Sequence, residues 1–391
     1  VLRILWHSNA VWARSGYGGQ SKINGEAIAQ LGHTVHYSAN WGLQGSIVDL
    51  DANTKVYPSL RAESGDDLLL PSHAEAMKAD IVITLYDAWT FDPVITKQFC
   101  WIPWLPIDMD RISKQHYQAL APAYRVIAFT RYGQKKLKEV GIESSYVPHS
   151  LDTRIWRPLD KAEAREGLGF PPDKFIVLVT AMNKGYPARK AFPEILWAWK
   201  AFAEGKKDKV LLHFHSNDGP AIGGPSIRGM ASELGITPET LSIADQYSYF
   251  LGYKTSYMVG LTNAADVLLL PSYGEGFGIP LIEAQSVGVP VITSDFGAMK
   301  ELCNAGWLVE GQPFLNVLAG FYQVPFIDSI VAALEESYKC RGDTSLSEQA
   351  IESMKQYDIR YVTQEHWTPV LDEIEESLST GGELNLFEGL E

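Results

Sequence analysis

Short apolar runs alternate with amphipathic stretches along nearly the whole chain. Residues 2–6 (Leu2, Arg3, Ile4, Leu5, Trp6) read as a strand that ends in the polar His7-Ser8-Asn9. A glycine-rich turn follows at 15–20, then a helix carrying Ile23, Ala27, Ile28 and Leu31, closed by Gly32. A second strand is expected at 34–38. Strand, glycine turn, helix, strand is the opening of a doubly wound parallel sheet. Further buried strands are predicted at 81–85, 100–105 and 126–129, with a shorter one at 145–147. The rhythm returns in the second half, with strands at 175–180, 210–215, 266–270 and 290–293 and a helix at 193–202. Continuous apolar strands alternating with helices indicate parallel sheets covered on both faces.

Prolines 148, 158, 171 and 172 punctuate the stretch between the halves and mark a connection rather than an element. The predicted organisation is therefore α/β, with two Rossmann-like doubly wound domains facing a cleft. The first covers 1–150 and a linker covers 151–172. The second covers 173–350, followed by helices over 351–379 that could pack back on the first domain. The tail 380–391 has little apolar periodicity and is expected to fray. In such sheets ligands bind at the carboxyl ends of the strands.

At 391 residues and 46% apolar, the chain has ample material for two cores, and 20% charged residues give no signature of disorder. Cys100, Cys303 and Cys340 are scattered and odd in number, which fits neither a disulfide framework nor a metal site and suggests a reducing cytoplasm. The first residues read as a strand rather than a signal peptide, and no apolar run is long enough to span a bilayer. Any membrane contact is expected to be peripheral. The net charge of −14 comes from residues 151–391, because 1–150 hold 14 basic and 14 acidic residues. So acidic a chain is a poor candidate for nucleic-acid binding. A cluster of cations (Arg125, Arg131, Lys135, Lys136, Lys138) reads either as a solvated helix face or as a surface for an anionic acceptor or headgroup.

The densest chemistry lies at 271–284, Pro-Ser-Tyr-Gly-Glu-Gly-Phe-Gly-Ile-Pro-Leu-Ile-Glu-Ala. A strand ends at Pro271, and glycines 274, 276 and 278 lead into a helix starting near Pro280. Glycines let backbone approach a ligand, and a helix amino terminus offers unpaired N–H groups to a phosphate. Glu275 in the loop and Glu283 in the helix can face one cleft, where carboxylates suit sugar hydroxyls. The same residues also describe a tight turn before a core helix.

The full string strongly resembles the signature of glycosyltransferase family 4, retaining enzymes of the GT-B fold also described as glycosyl transferases group 1. The resemblance continues through Gly288-Val289-Pro290-Val291-Ile292 and Glu301, and back to Asn263-Ala264-Ala265-Asp266-Val267. It covers most of 175–310. By that resemblance Glu275 contacts a donor sugar, Glu283 holds ribose hydroxyls, and Gly276, Phe277, Gly278 and Ile279 form the donor loop. Arg189 and Lys190, with Lys184 nearby, fall where the family carries cations for the diphosphate, which develops charge as the glycosidic bond breaks. An arginine usual after that strand is absent here, and Asn183 or Lys184 stands in its place.

In the first half, Gly18 and Gly19 look like the family's amino-domain glycine loop beside the donor phosphates. Pro148-His149-Ser150-Leu151-Asp152 with Trp156-Arg157-Pro158 is similar to the family's interdomain crossing, with Ser150 replacing glycine. Asp108 stands where many relatives place a histidine, and reads equally as a donor contact or a turn cap. Asp87 is a further cleft candidate. His213 and His215 share one face of a strand, and His215, at its end, is the one expected to meet the nucleotide.

The resemblance implies a retaining, front-face transfer from a nucleotide diphosphate sugar to an acceptor hydroxyl on a glycan, lipid or small molecule. No metal and no separate cofactor are expected. The alternatives are a catalytically silent GT-B subunit that binds sugar nucleotides, or another GT-B enzyme such as a phosphorylase or epimerase. A nicotinamide dehydrogenase is disfavoured, because no clean Gly-x-Gly-x-x-Gly follows the first strand. Trp41, Trp89, Trp101 and Trp104 offer rings that suit sugar faces, unless they are simply packed.

Overall fold

The first sheet has eight strands: β1 (Arg3–Asn9), β2 (Thr34–Trp41), β3 (Val48–Asp49), β4 (Lys55–Tyr57), β5 (Ile81–Leu85), β6 (Trp101–Leu105), β7 (Val126–Ala128) and β8 (Ser144–Tyr146). Their order is β3-β4-β2-β1-β5-β6-β7-β8, parallel throughout except at the β3–β4 edge. The second sheet contains β9 (Phe175–Thr180), β10 (Val210–His215), β11 (Leu241–Ile243), β12 (Val267–Leu270), β13 (Val291–Ser294) and β14 (Gly306–Val309). It is wholly parallel in the order β11-β10-β9-β12-β13-β14. A separate antiparallel hairpin joins β15 (Gly311–Leu315) to β16 (Phe321–Pro325). This computed structural model describes residues 1–61 and 67–380. They divide into two units, one of Val1–Leu151, Val317–Gly320 and the chain from Tyr357, the other of Asp152–Asn316 and Phe321–Gln356. Each unit is a doubly wound α/β domain, and the fold is GT-B.

In the first unit β1 buries Ile4, Leu5 and Trp6 completely, as a central parallel strand covered on both faces requires. Trp6, Trp104 and Trp367 close on one another with ring centroids 5.1–5.7 Å apart. Burying an indole strands its N–H unless an acceptor is supplied. Each is supplied: Trp6 donates to Ser21 Oγ, Trp104 to the Val147 carbonyl and Trp367 to Asn24 Oδ1. Trp101 likewise donates to Thr84 Oγ1. Trp101 and Trp104 are thus core residues and not platforms for a ligand.

The second core gathers Phe175, Val177, Trp199, Phe202, Leu212, Phe214 and Val267 around β9, β10 and β12. Asp266 ties its floor together, accepting from the Ile176 amide and pairing with Arg165 at 2.7 Å.

Several expectations are corrected. The glycine turn at 15–20 is already helix: Ser15 caps Gly16–Gln30 by accepting from the Gly18 amide, which places Gly18 and Gly19 in its first turn. Gly18 is there because a Cβ would lie 2.3 Å from the Ala13 carbonyl oxygen, whereas Gly19 faces open space. Strands β3, β4, β11 and β14 and the hairpin are additional to those predicted. The cation cluster is largely neutralised: Lys136 bridges Asp110 and Glu139, Lys138 meets Glu143, and Arg125 meets Glu373. Arg131, Lys135 and Lys138 are exposed on the helix Arg131–Glu139, whereas the Lys136 and Arg125 side chains are mostly covered. All three cysteines are unbonded. Among the described residues no helix is long and apolar enough to cross a membrane. The tail at 381–391 lies outside the described residues.

Candidate functional site

The loop 271–278 leaves β12 and enters the helix Ile279–Ser286. Gly278 is its cap residue at φ +110°, a backbone conformation that favours glycine, and no side chain fills the cap. Pro280 has no N–H and the Leu281 amide donates to the Gly278 carbonyl, so the capacity of this helix start to receive an anion rests on the Ile279 amide. Gly276 is half-buried and Phe277 buried, while Ile279 is half-buried at the helix start.

Glu275 is buried, and Lys190 Nζ donates to its Oε1 while Arg189 Nη1 stands 3.2 Å from its Oε2. Burial alone would raise this carboxyl, but the Lys190 and Arg189 charges outweigh it and hold the group at about 2. Glu275 is therefore a carboxylate at any physiological pH. Arg189 also donates to the Gly274 carbonyl, so it grips the loop through backbone and side chain. Arg189, Lys190 and Glu275 are brought together although about 85 residues separate the cations from the acid.

Tyr273 fixes this arrangement from behind. Its amide donates to the Arg189 carbonyl at 2.8 Å, its carbonyl accepts from the Gln323 amide of β16 at 2.8 Å, and its hydroxyl donates to Glu194 at 2.7 Å. Its ring packs near Phe314 of β15. Removing the hydroxyl leaves Glu194, whose Oε2 already lacks a partner, without its donor. We expect Tyr273→Phe to lower thermal stability by about 1–2 kcal/mol, read as a lower Tm, while the backbone bonds keep the loop in place. Unchanged stability would show that the hydroxyl bond contributes nothing.

Glu283 lies on the same helix, half-buried, with no hydrogen-bond or ion-pair partner among the described residues. Desolvation pushes its carboxyl up to about 8. The two glutamates are thus held in opposite states near neutral pH, one ionised and paired, the other poised to ionise.

Lys184 is exposed, and its backbone bridges Gly223. Asn183 is fully buried, exchanging hydrogen bonds with Asn217 and donating to the Pro225 carbonyl. It clamps two loops and is not available to a phosphate, so of the two residues replacing the family's arginine only Lys184 is accessible. His215 ends β10 inside a ring of Tyr249, Tyr253 and Tyr257, at 5.1–6.2 Å. Burial lowers it to about 4, so it is neutral, and its Nδ1 is buried without a partner. Tyr253, Tyr257 and Lys254 also line an open depression of about 370 Å³. These tyrosines are spaced four apart at 249, 253 and 257, a pattern visible in the sequence but not singled out from it. His213 is held by Ser242 and Phe170 instead.

Gly18, Gly19, Asp87, Asp108 and His149 belong to the first unit. His149 is packed between Trp104 and Phe129, and burial drives it down to about 3, so its role is structural. Ser150, in place of glycine, exchanges backbone hydrogen bonds with the Gln20 side chain. Asp108 is half-buried past β6, within electrostatic reach of His116. His116 is a buried histidine from the next helix, bonded to Ser113 and beside Trp89. Sequence reading missed it because it lies eight residues further along. Among the described residues no group of three or more His, Cys, Asp or Glu could hold a metal ion.

The parallel-sheet unit that carries this glycine-capped helix, buried acid and two cations at the carboxyl end of its strands is one half of a GT-B fold. Residues 194–319 match the family model described as "Glycosyl transferases group 1". Relatives include a D-inositol 3-phosphate glycosyltransferase 2 from Catenulispora acidiphila, 29% identical over 46% of this chain and 43% of its own length. Another is the D-inositol 3-phosphate glycosyltransferase of Nocardia farcinica, 30% identical over 48% of this chain and 41% of that protein. The chain thus spans less than half the length of either. Among solved structures, sucrose-phosphate synthase from Thermosynechococcus elongatus aligns at TM-score 0.73 with 16% identity, covering 97% of this chain and 100% of that one. Anabaena Alr3699/HepE in complex with UDP-glucose aligns at TM-score 0.64 with 15% identity and the same coverage.

Proposed function

We propose that this chain is a retaining glycosyltransferase that moves a sugar from a nucleoside diphosphate sugar to an acceptor hydroxyl. The observation that carries the reading is the buried Glu275 paired with Lys190 and Arg189 beside a helix start free of side-chain caps. A diphosphate brings the charge that those cations and the Ile279 N–H accept, and the carboxylate released from its pairs is free to take donor-sugar hydroxyls. Glu283 takes the ribose hydroxyls, and His215 with its tyrosines borders the base. The relatives' names and the UDP-glucose complex of Alr3699/HepE support a nucleotide sugar as donor.

In the front-face course the bond from the anomeric carbon to the phosphate oxygen breaks, and its electron pair leaves with the diphosphate. The acceptor oxygen bonds to that carbon from the same side, and its proton passes to the departing phosphate oxygen. No protein nucleophile and no metal take part. Arg189, Lys190 and the helix start stabilise the leaving charge. A nucleotide-sugar donor supports a cytoplasmic reaction, with any membrane contact peripheral.

The test is thermal melting against UDP, GDP and ADP, followed by turnover of the common sugar nucleotides. One nucleoside diphosphate should raise the Tm, and its sugar should be transferred with the anomeric configuration kept. No shift with any of the three and no turnover of any donor overturns the reading.

A further inference from the structure

The carboxyl edge of the first sheet carries tryptophans that the donor site does not use. Trp12, on the segment after β1, and Trp41, at the end of β2, each expose 43% of their surface. Trp6, Trp101, Trp104, Trp199 and Trp367 are by contrast fully buried. The two exposed rings stand on adjoining segments: Trp12 Nε1 donates to the Gly42 carbonyl at 3.0 Å, and the Ala10 amide to the Trp41 carbonyl at 2.8 Å. Trp12 thus spends its polar atom internally and turns apolar ring to solvent. Half-buried Trp89 follows β5. Because β2, β1, β5 and β6 are neighbours in that order, Trp41, Trp12, Trp89 and Asp108 follow one another along the edge. At about 4.8 Å per strand the row runs about 14 Å, long enough for linked sugar rings.

The polar groups at this edge select among occupants. Asn9, at the end of β1 opposite Trp41, donates to Ser15, while its Oδ1 is buried with no hydrogen-bond donor, an acceptor left over for a ligand hydroxyl. Asp87 and Asp108 add two carboxylates, which accept from hydroxyls, and with Arg14 on the Trp12 segment and Arg111 on the Asp108 segment the charge at this edge is mixed rather than cationic. Aromatic faces broken by amide and carboxylate groups suit a ring with one apolar C–H face and a rim of hydroxyls. A lipid would want a continuous apolar patch, and an anionic headgroup a cationic one.

We propose that this edge is an acceptor subsite for a neutral carbohydrate chain, with Trp12 and Trp41 as stacking platforms. The proposal rests on the sugar-transfer reading. Saturation-transfer NMR on the full chain tests it, with maltotriose, cellotriose and mannotriose as probes and D-inositol 3-phosphate as the anionic comparison. At least one trisaccharide should receive saturation on its ring C–H protons. Trp12→Ala and Trp41→Ala should each weaken that binding at least tenfold, and Trp12→Phe and Trp41→Phe should recover part of it. The nucleotide-induced rise in Tm should be the same in all four variants, which also shows that they fold. Silence from all three trisaccharides, equal binding to the alanine variants, or binding of the inositol phosphate alone overturns the proposal. Failure of the sugar-transfer reading would show separately, as a missing nucleotide shift in the unaltered chain.

Discussion

Glu275→Ala is expected to lower sugar transfer by about 10²–10³-fold, the scale seen when one fixed polar contact to a transition state is removed. Nucleoside diphosphate binding should be kept or tightened. The reason lies in the pairing: with the acid gone, Lys190 and Arg189 are left without the carboxylate that neutralises them. An arriving diphosphate then meets two unpaired cations. The unliganded variant should also melt lower, because two partly buried charges lose their counter-ion. Since Glu275 is held far below its ordinary range, its stabilising contribution is present above about pH 4.5 and fades as the pH falls toward about 2. The loss in Tm should therefore be plain at pH 7 and shrink in acid. Calorimetric titration with the nucleoside diphosphate, beside steady-state turnover, checks both halves. Lost nucleotide binding in a folded variant would remove Glu275 from the sugar-contact role.

Glu283 leads to a second large effect, this one with pH. Its carboxyl is raised to about 8 by burial alone, so most of it is protonated at pH 7. Two ribose hydroxyls both need an acceptor, which the ionised form supplies with both oxygens. From pH 7 to 9 the ionised share rises about tenfold, and nucleotide affinity should rise by the same factor before levelling off. Binding below pH 8 should release a proton, visible as a dependence of titration heat on buffer. Glu283→Gln should flatten the profile and weaken binding at pH 9. In the unliganded protein the sign is reversed. The folded state holds a proton that the unfolded chain loses between about pH 4.5 and 8, so stability falls across that window, and Glu283→Gln should remove the fall. A flat affinity profile in the unaltered chain would separate Glu283 from the ribose.

Strands such as Ile81–Leu85, Phe175–Thr180 and Val210–His215 are legible because each is a short, predominantly apolar run. Val48–Asp49 and Lys55–Tyr57 are not, because a two- or three-residue edge strand carries no period to detect. Ser15-Gly16-Tyr17-Gly18 was read as a turn on its glycines, yet the serine was the stronger signal, since it caps the helix. In the candidate site, Glu275 and Glu283 stood out through their spacing within a resembling string. Their opposite states did not, because those depend on which cations fold against each one. Nor could residue type separate Trp104 from Trp12; only burial does.

The Trp6–Trp104–Trp367 cluster bears on how this molecule is born. Trp6 is translated some 360 positions before Trp367, which forms one wall of its pocket. The unit that holds Trp6 therefore cannot close its interior until after Asp152–Asn316 has been made. During that interval, with translation proceeding at about 5–20 residues per second, its central strand has an unfilled aromatic socket while Asp152–Asn316 is already emerging. Of these two units, the one begun earlier is the one that waits.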